Sequence, residues 1–365
     1  MPASPKRILI CSTPVGPLGS GIGGGVELTL KNLVAGLSGL GHQVAVVAPA
    51  GSELVGAEVH EIPGAPQPSA QHYGRDAPVT MPADSVLGEM WAWISAHQDD
   101  YDVVVNMAYD WLPFYLTTFL SVPVAHLVSM GSMSDAMDDV MVATSLQRPE
   151  ALAVHSSAQA QTFSVIASRL RIVGNGIATE RYALHPEADR PPHVGFVGRI
   201  APEKGIADVF AVAAATGIPV KVWGLMQDPA LWDAAVAEHP GAPVSYQGFV
   251  TTDELQAAIG RCAAVLMTPK WTEAFGNVAI EAMACGVPVI GYRRGGLSET
   301  VEDGTTGFLV EPDSVDGLVH AVGRIDEIDR RACRQRVEDR WSTAAFAGRV
   351  DAWLDDVVSA TRTRA

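Results

Sequence analysis

The chain has 365 residues, of which 48% are hydrophobic and 18% charged, and its formal net charge is −16. This composition is typical of globular proteins and argues against long disorder, and the length suits two domains with separate cores. The negative charge disfavours nucleic acid and acidic membrane surfaces as partners.

The amino-terminal half alternates short apolar runs with stretches of helical period. The runs are almost uniformly apolar, as in strands that are buried on both faces of a parallel sheet, and lie at 7–12, 43–49, 102–107, 122–128 and 151–156. Helical stretches follow at 26–40, 84–97 and 112–120. We therefore predict a doubly wound α/β domain over residues 1–188.

A polar, proline-rich segment at 185–192, HPEADRPP, interrupts this pattern, and a second α/β series follows it. We predict a second Rossmann-like domain over residues 189–342. Its strands are expected near 193–199, 219–224, 244–247, 263–268, 287–292 and 306–310, and its helices near 206–216, 229–238, 252–261, 277–285 and 315–325. The amphipathic stretch 343–358 is expected to pack back on the first domain.

The four cysteines contain no C-x-x-C pair and no metal-ligand spacing, so we predict reduced thiols and no bound metal or cofactor. The apolar run at Ile8 is too short for a signal sequence, and no run approaches the ~20 residues of a membrane span. The sequence therefore predicts a soluble cytoplasmic protein. It leaves the oligomeric state open.

A glycine-rich loop follows the first predicted strand. Gly19, Gly21 and Gly24 match G-x-G-x-x-G, but they start seven residues after Ser12, too far from the strand for a dinucleotide turn. Gly23–Gly25, at the start of a helix, would let backbone N–H groups approach an anion. The alternative is a flexible surface loop.

Two further motifs follow strands of the second domain. Arg199 and Lys204 place a guanidinium fork and a point charge on one turn, which suits a diphosphate, although solvated basic turns are common. In 267–289, the N–H groups at Gly276 favour an anion. Glu281 lies in an otherwise small and apolar helix, where an unpaired carboxylate is costly. A ribose diol or a structural arginine would satisfy it.

His126 is placed at the end of a predicted strand of the first domain. A histidine facing a ligand there would hydrogen-bond a transferred group, whereas a lone histidine is more often a satisfied core or surface residue. The acidic run Asp135, Asp138 and Asp139 has helical spacing and no nearby histidine, which favours a solvated helix face over a metal site.

Taken together, these motifs resemble those of the retaining glycosyltransferases of family 4, which have the GT-B fold. The resemblance extends over GGGVELTLKNLVAGLSGLGHQVAVVAP, VGNGIATERY, VGRIAPEKG, the pair Glu273 and Glu281, GVPVI and GGLSETVEDGTTGFLVEP. It implies two Rossmann-like domains facing each other across a cleft. It also implies metal-independent transfer of a sugar from a nucleotide diphosphate sugar with retention of configuration.

The resemblance further implies roles for individual residues. The expected catalytic groups are His126, Arg199, Lys204 and Glu273. The expected donor-binding residues are Gly24, Gly25, Arg199, Lys204, Glu273, Phe275, Gly276, Asn277, Val278 and Glu281. Among the donor-binding residues, Arg199 and Lys204 are expected to hold the diphosphate and Glu281 the ribose hydroxyls. His126 is expected to reach the sugar from the other domain.

A closer resemblance is to the pteridine glucosyltransferases, which move glucose from UDP-glucose to tetrahydrobiopterin. It is based on STPVGPLGSGIGGGVELTL, NMAYDWLPFYLT, HLVSMGSMSDAMD and TPKWTEAFGNVAIEA. The expected acceptor-binding residues are Tyr109, Asp110, Trp111 and His126, because aromatic rings stack on a flat bicycle and a carboxylate accepts from an amino-pyrimidine edge. The alternative is that the aromatic residues are core and that Asp110 caps a helix.

Three other functions are also compatible with the sequence. The same fold would serve a different soluble acceptor. A UDP-sugar 2-epimerase would need general acid and base groups at the sugar C2. A nucleotide-sugar or pterin sensor would bind without turnover.

Overall fold

The computed structural model describes residues 4–364, so residues 1–3 of the first predicted domain lie outside the described part. The chain divides into two compact units, Met1–Gly176 with Thr343–Ala365, and Ile177–Ser342. The second unit therefore begins earlier than the predicted boundary at 188/189, because Ile177 and Tyr182 are buried in its core.

The first unit is built on a parallel sheet whose strand order is β3-β2-β1-β4-β5-β6-β7. Its strands are β1 Arg7–Cys11, β2 Gln43–Pro49, β3 Glu58–Ile62, β4 Val103–Asn106, β5 Val124–Val128, β6 Leu152–Val154 and β7 Arg171–Ile172. Its helices are α1 Gly25–Gly39, α2 Val86–His97, α3 Trp111–Leu116, α4 Asp135–Gln147 and α5 Ser157–Ala160, with α13 Thr343–Arg364 from the end of the chain.

The carboxyl-terminal helix α13 packs against α1 in this unit. Gly36 lets the two helices approach closely, because a Cβ at that position would lie 2.6 Å from the Cβ of Ala347. Arg349 donates to the carbonyl of Val173 at 2.6 Å. The edge strands β3 and β7 were not predicted, because one is mostly polar and the other has only two residues.

The second unit repeats the arrangement in the order β10-β9-β8-β11-β12-β13, again parallel. Its strands are β8 Val194–Val197, β9 Val220–Trp223, β10 Val244–Gly248, β11 Ala264–Met267, β12 Val289–Tyr292 and β13 Gly307–Val310. Its helices are α6 Ile206–Thr216, α7 Pro229–Glu238, α8 Thr252–Gly260, α9 Asn277–Ala284, α10 Leu297–Thr300, α11 Val315–Val322 and α12 Arg330–Arg340.

Both sheets are of the doubly wound type, which confirms the predicted α/β class of two Rossmann-like domains. In each sheet the order reverses beside the unit's first strand, between β1 and β4 and between β8 and β11. Ligands of open parallel sheets bind beyond the strand carboxyl ends at such a reversal. Across residues 4–364, every helix is too short or too polar to span a bilayer.

Candidate active site

In the second unit, the segments that follow β8 and β11 touch each other. The Thr268 hydroxyl lies 3.0 Å from the carbonyl oxygens of both Lys204 and Gly205. Gly205 has a φ of 68°, and a Cβ there would lie 2.1 Å from the Thr268 carbonyl oxygen. Only glycine allows this approach, which places the turn after β8 against the loop after β11.

This contact brings together two predicted residues, Lys204 and Glu273, whose Nζ and Oε2 atoms are 2.9 Å apart. Trp271 donates its indole N–H to the same carboxylate oxygen at 3.0 Å, and its ring centroid lies 5.2 Å from the Lys204 Nζ. The ion pair is therefore partly shielded from solvent and held in place by a residue that the sequence did not assign to this role.

Arg199, the second predicted cation, also has a carboxylate partner. Its Nη2 donates to Glu203 at 2.6 Å and its Nη1 to Gln227 at 2.5 Å. Neither partner was predicted. Gln227 reaches the turn from the segment after β9, and Glu203 lies four residues after Arg199 in the same turn. An anion that binds both cations must therefore compete with Glu203 and Glu273.

Helix α9 begins at Asn277 after Gly276, which has a φ of 90° and caps the helix without a side chain. The Phe275 ring is buried and meets Trp341 edge-on at 5.1 Å. The Phe275 side chain therefore belongs to the core, and the first-turn N–H groups of a helix favour an anion.

Glu281 lies one turn further along α9, on the same face as Asn277. Its carboxylate makes no hydrogen bond or salt bridge with any residue within 4–364, and burial raises its pKa to about 7. Of the two alternatives that the sequence left open, the structural arginine is therefore wrong within the described residues. The carboxylate can accept hydrogen bonds from a ligand.

In the first unit, Asp110 and Tyr109 follow β4, beside the strand-order reversal. Asp110 caps α3, since one of its oxygens accepts from the Leu112 N–H at 3.3 Å. Its other oxygen accepts from Gln67 at 3.2 Å, and Gln67 in turn accepts from the Ser85 hydroxyl at 2.7 Å. Burial raises the pKa of Asp110. The capping alternative therefore describes one of its two oxygens, and Gln67 was not predicted.

The neighbouring aromatic residues have different environments. The Tyr109 hydroxyl accepts from the Met133 N–H at 3.1 Å, and burial raises the pKa of Tyr109 to about 12. Trp111 stacks on Tyr115 with ring centroids 4.5 Å apart, and Tyr115 is 48% exposed. Phe114 is buried, so this residue belongs to the core and offers no stacking surface.

The prediction that His126 lies at a strand end facing a ligand is wrong. His126 is the central residue of β5 and is fully buried. Its Nδ1 accepts from Asn106 at 3.1 Å, its Nε2 lies 2.8 Å from the Thr117 hydroxyl, and its ring stacks on Phe114 at 4.0 Å. Burial lowers its pKa to about 3, so His126 is a neutral core residue.

The interpretation of the acidic run as a solvated helix face is also wrong for one member. Asp138 is 4% exposed and accepts from Arg75 at 2.5 Å and from Ser132 at 2.8 Å. Asp135 pairs with the same guanidinium at 2.7 Å. These ion pairs tie the long segment between β3 and α2 to the start of α4.

The N–H groups of the glycine-rich loop, which were expected to bind an anion, are partly engaged in hydrogen bonds within the chain. Gly24 caps α1 with a φ of 56°, and Gly25 is the first helical residue. The N–H of Gly23 donates to Glu27 at 2.6 Å, and the N–H of Gly24 donates to the Gly21 carbonyl at 3.2 Å. Two of the N–H groups expected to meet an external anion are therefore engaged within the chain.

Two family models match consecutive parts of the chain. The model described as "Glycosyltransferase Family 4" matches residues 23–181, and the model described as "Glycosyl transferases group 1" matches residues 180–340. Together they span both doubly wound units. The chain is therefore similar to glycosyltransferases over both units, and its two doubly wound sheets are those of the GT-B fold.

Individual proteins show the same relationship at lower coverage. The chain is 36% identical to a 2-deoxystreptamine N-acetyl-D-glucosaminyltransferase of Streptomyces fradiae over 36% of this chain and 33% of that protein. It is 32% identical to a glycogen synthase of Mycobacterium tuberculosis over 49% of this chain and 47% of that protein. The aligned parts thus span half or less of these curated relatives.

Among solved structures, the fold is similar to that of Anabaena HepE in complex with UDP-glucose. The TM-score is 0.74 at 17% identity, with 96% of this chain and 100% of that chain covered. At this level of identity the likeness supports the fold alone.

Proposed function

We propose that this protein is a retaining glycosyltransferase that moves glucose from UDP-glucose to a small soluble acceptor, a reduced pterin such as tetrahydrobiopterin, to give an α-glucoside without a bound metal. The observation that carries the proposal is the arrangement after β8 and β11. Arg199 and Lys204 follow β8, the start of α9 and Glu281 follow β11, and the ion pair of Lys204 with Glu273 joins the two segments.

On the donor side, Arg199 and Lys204 bind the diphosphate and the first-turn N–H groups of α9 add to the field. Glu281 accepts hydrogen bonds from the ribose hydroxyls, which gives its carboxylate the partners that the folded chain does not provide. Glu273 holds Lys204 in place and contacts the hexose. Lys204, Arg199 and Glu273 are held in place before the donor binds, through contacts with Thr268, Glu203 and Trp271 respectively.

During transfer, the bond between the anomeric carbon and the diphosphate oxygen breaks while the acceptor oxygen attacks from the same face. Negative charge develops on the departing diphosphate, where the two cations and the α9 N–H groups stabilise it. The diphosphate oxygen itself takes the acceptor proton. The carboxylates Glu273 and Glu281 position the donor and do not act as a general acid and base pair.

On the acceptor side, Trp111 and Tyr115 offer stacked rings that are partly open to solvent. The Asp110 carboxylate lies beside them, and Gln67 fixes its orientation. This combination suits a flat ring with N–H donors on one edge, as in a pterin. The relatives include a 2-deoxystreptamine N-acetyl-D-glucosaminyltransferase and a glycogen synthase, so they do not select one acceptor.

The test is a transfer assay with purified protein, UDP-glucose and tetrahydrobiopterin, followed by mass spectrometry and by NMR of the anomeric proton. We expect UDP release and an α-glucoside, unaffected by a chelator and strongly reduced in Lys204→Ala. The absence of any glucoside would refute the pterin acceptor, and a β-linked product would refute retention. Incubation with UDP-GlcNAc alone tests the 2-epimerase alternative. His126, the histidine considered as its acid or base, is fully buried in β5.

A further inference from the structure

The glycine-rich loop before α1 encloses a carboxylate of the same chain. The N–H groups of Gly19 and Gly21 donate to Oε2 of Glu27 at 2.9 and 3.2 Å, and the N–H of Gly23 donates to Oε1 at 2.6 Å. Three alternate N–H groups therefore converge on one side chain. A loop of this kind is a concave anion-binding site, and here the anion is Glu27.

The backbone conformation of the loop requires glycine at these positions. Gly19 and Gly21 have φ values of 91° and 80°. A Cβ on Gly23 would lie 2.8 Å from Cγ of Glu27. Glycine is thus favoured at Gly19 and Gly21 by their positive φ, and at Gly23 by the closeness of the Glu27 side chain.

Glu27 is the third residue of α1, and it reaches back over the helix start as the glutamate of a capping box does. The capping residue Gly24 has no side chain to complete a capping box. The Glu27 carboxylate accepts instead from N–H groups of the preceding loop. The carboxylate thereby links the loop to the first turn of α1.

We propose that Glu27 is a positioning residue for the glycosyl transfer. It holds the loop 19–24 so that the backbone at Gly24 and Gly25 keeps the conformation that the transferred sugar and its phosphate require. The kinetic part of this inference rests on the proposed function. The structural part, that the Glu27 carboxylate orders the loop, does not.

The experiment is chemical rescue of Glu27→Ala. The variant vacates a site that a small carboxylate can refill, so sodium formate is compared with sodium chloride at equal ionic strength. We expect kcat to fall by about 100-fold, the size of effect that follows a displacement of about 1 Å in a catalytic centre, with a smaller change in KM. Formate should restore a large part of the rate, and chloride should not.

Amide hydrogen exchange of residues 19–23 provides a readout that does not depend on turnover. Exchange should be faster in Glu27→Ala than in the wild type, and formate should slow it again. The matched control is Glu89→Ala, which removes an exposed glutamate from the first turn of α2 and should change neither measurement. Glu27→Gln keeps the shape but replaces one acceptor oxygen by a donor, so it should show partial loss and no rescue.

The outcomes separate the two proposals. If formate restores neither exchange nor turnover, or if Glu27→Ala leaves exchange unchanged, the role of Glu27 is refuted. Tighter binding of UDP-glucose with faster turnover in Glu27→Ala would also refute it, because Glu27 would then be an anion that the donor displaces. If the wild type transfers no glucose, the proposed function fails, and the exchange data still decide whether Glu27 orders the loop.

Discussion

Replacing Glu281 by glutamine separates what this carboxylate costs the fold from what it contributes to donor binding. Burial raises its pKa from 4.5 to about 7, so between these values the native state binds more protons than the unfolded state. The free energy of unfolding of the wild type therefore falls as the pH rises through this window. Above pH 7 the full cost of the ionised carboxylate is present.

The size of the effect follows from the pKa difference. At pH 8 the shift corresponds to about 3 kcal/mol, which is an upper limit because the residue is only half-buried. Glutamine carries no charge, so Glu281→Gln should be more stable than the wild type at pH 8. The advantage should disappear below pH 4.5, where the carboxyl group is protonated in both states.

Donor binding should change in the opposite direction. A ribose diol donates two hydrogen bonds to a carboxylate, whereas the glutamine side chain offers one acceptor oxygen. Losing a hydrogen bond to a charged group costs about 1.5–3 kcal/mol, or roughly a 10-fold to 100-fold weaker Kd for UDP. The same substitution should therefore stabilise the free protein and weaken its complex.

Urea unfolding at pH 4.5 and pH 8 and calorimetric titration with UDP measure the two effects. Glu89→Gln is the matched control, because this glutamate is exposed and lies in α2 of the other unit, so it should change neither quantity. A Glu281→Gln variant that is destabilised equally at both pH values would refute the argument from burial. Unchanged UDP affinity would refute the assignment to the ribose.

Three further predictions concern the neighbouring groups. Glu203→Gln frees Arg199 from a carboxylate at 2.6 Å, so UDP should bind more tightly by up to about 1 kcal/mol in calorimetry, and weaker binding would contradict the competition argument. Gly205→Ala and Gly217→Ala both replace a glycine with a φ of 68°, and only the second has open space around the new Cβ. In urea unfolding Gly217→Ala should cost about 1–2 kcal/mol and Gly205→Ala at least about 2 kcal/mol more, and equal losses would show that the close approach is unimportant. His126 has a pKa of about 3 in the fold, below its usual 6.5, so the unfolded state binds more protons and the wild type loses stability as the pH falls through this range. His126→Gln should show a flatter acid limb, and an unchanged pH dependence would contradict the burial of a neutral imidazole.

The two halves of the candidate site differed in how well the sequence predicted them. The donor residues were named from their places after predicted strands and from the resemblance to family 4. Arg199 and Lys204 do follow β8, and Glu273 follows β11, while their roles stay predictions. The acceptor side was predicted less well from the sequence. His126 stands in a strand that is apolar on both sides, so no alternation of polar and apolar residues showed which way its side chain points.

Other members of the site had no local signal at all. Gln67 lies in the long irregular segment before α2, and nothing in its neighbours indicates a bond to Asp110, 43 residues later. Glu27 had only its position in the first turn of a helix after glycines. Trp271 contacts the Lys204–Glu273 pair because the loop after β11 touches the turn after β8, whereas Glu203 pairs with Arg199 within one turn.

The order of helical and strand patterns along the sequence determined two doubly wound sheets and the start of α9 after a glycine. The sequence also shows the two carboxylates, Glu273 and Glu281, on either side of that start. These features follow from local dihedral preferences and from which faces are apolar. The tertiary structure alone decided that Lys204 pairs with Glu273, that Glu281 has no partner within the described chain and that His126 is enclosed. The physical reason is that such contacts join residues brought together by strand order and close packing, which the local pattern does not encode.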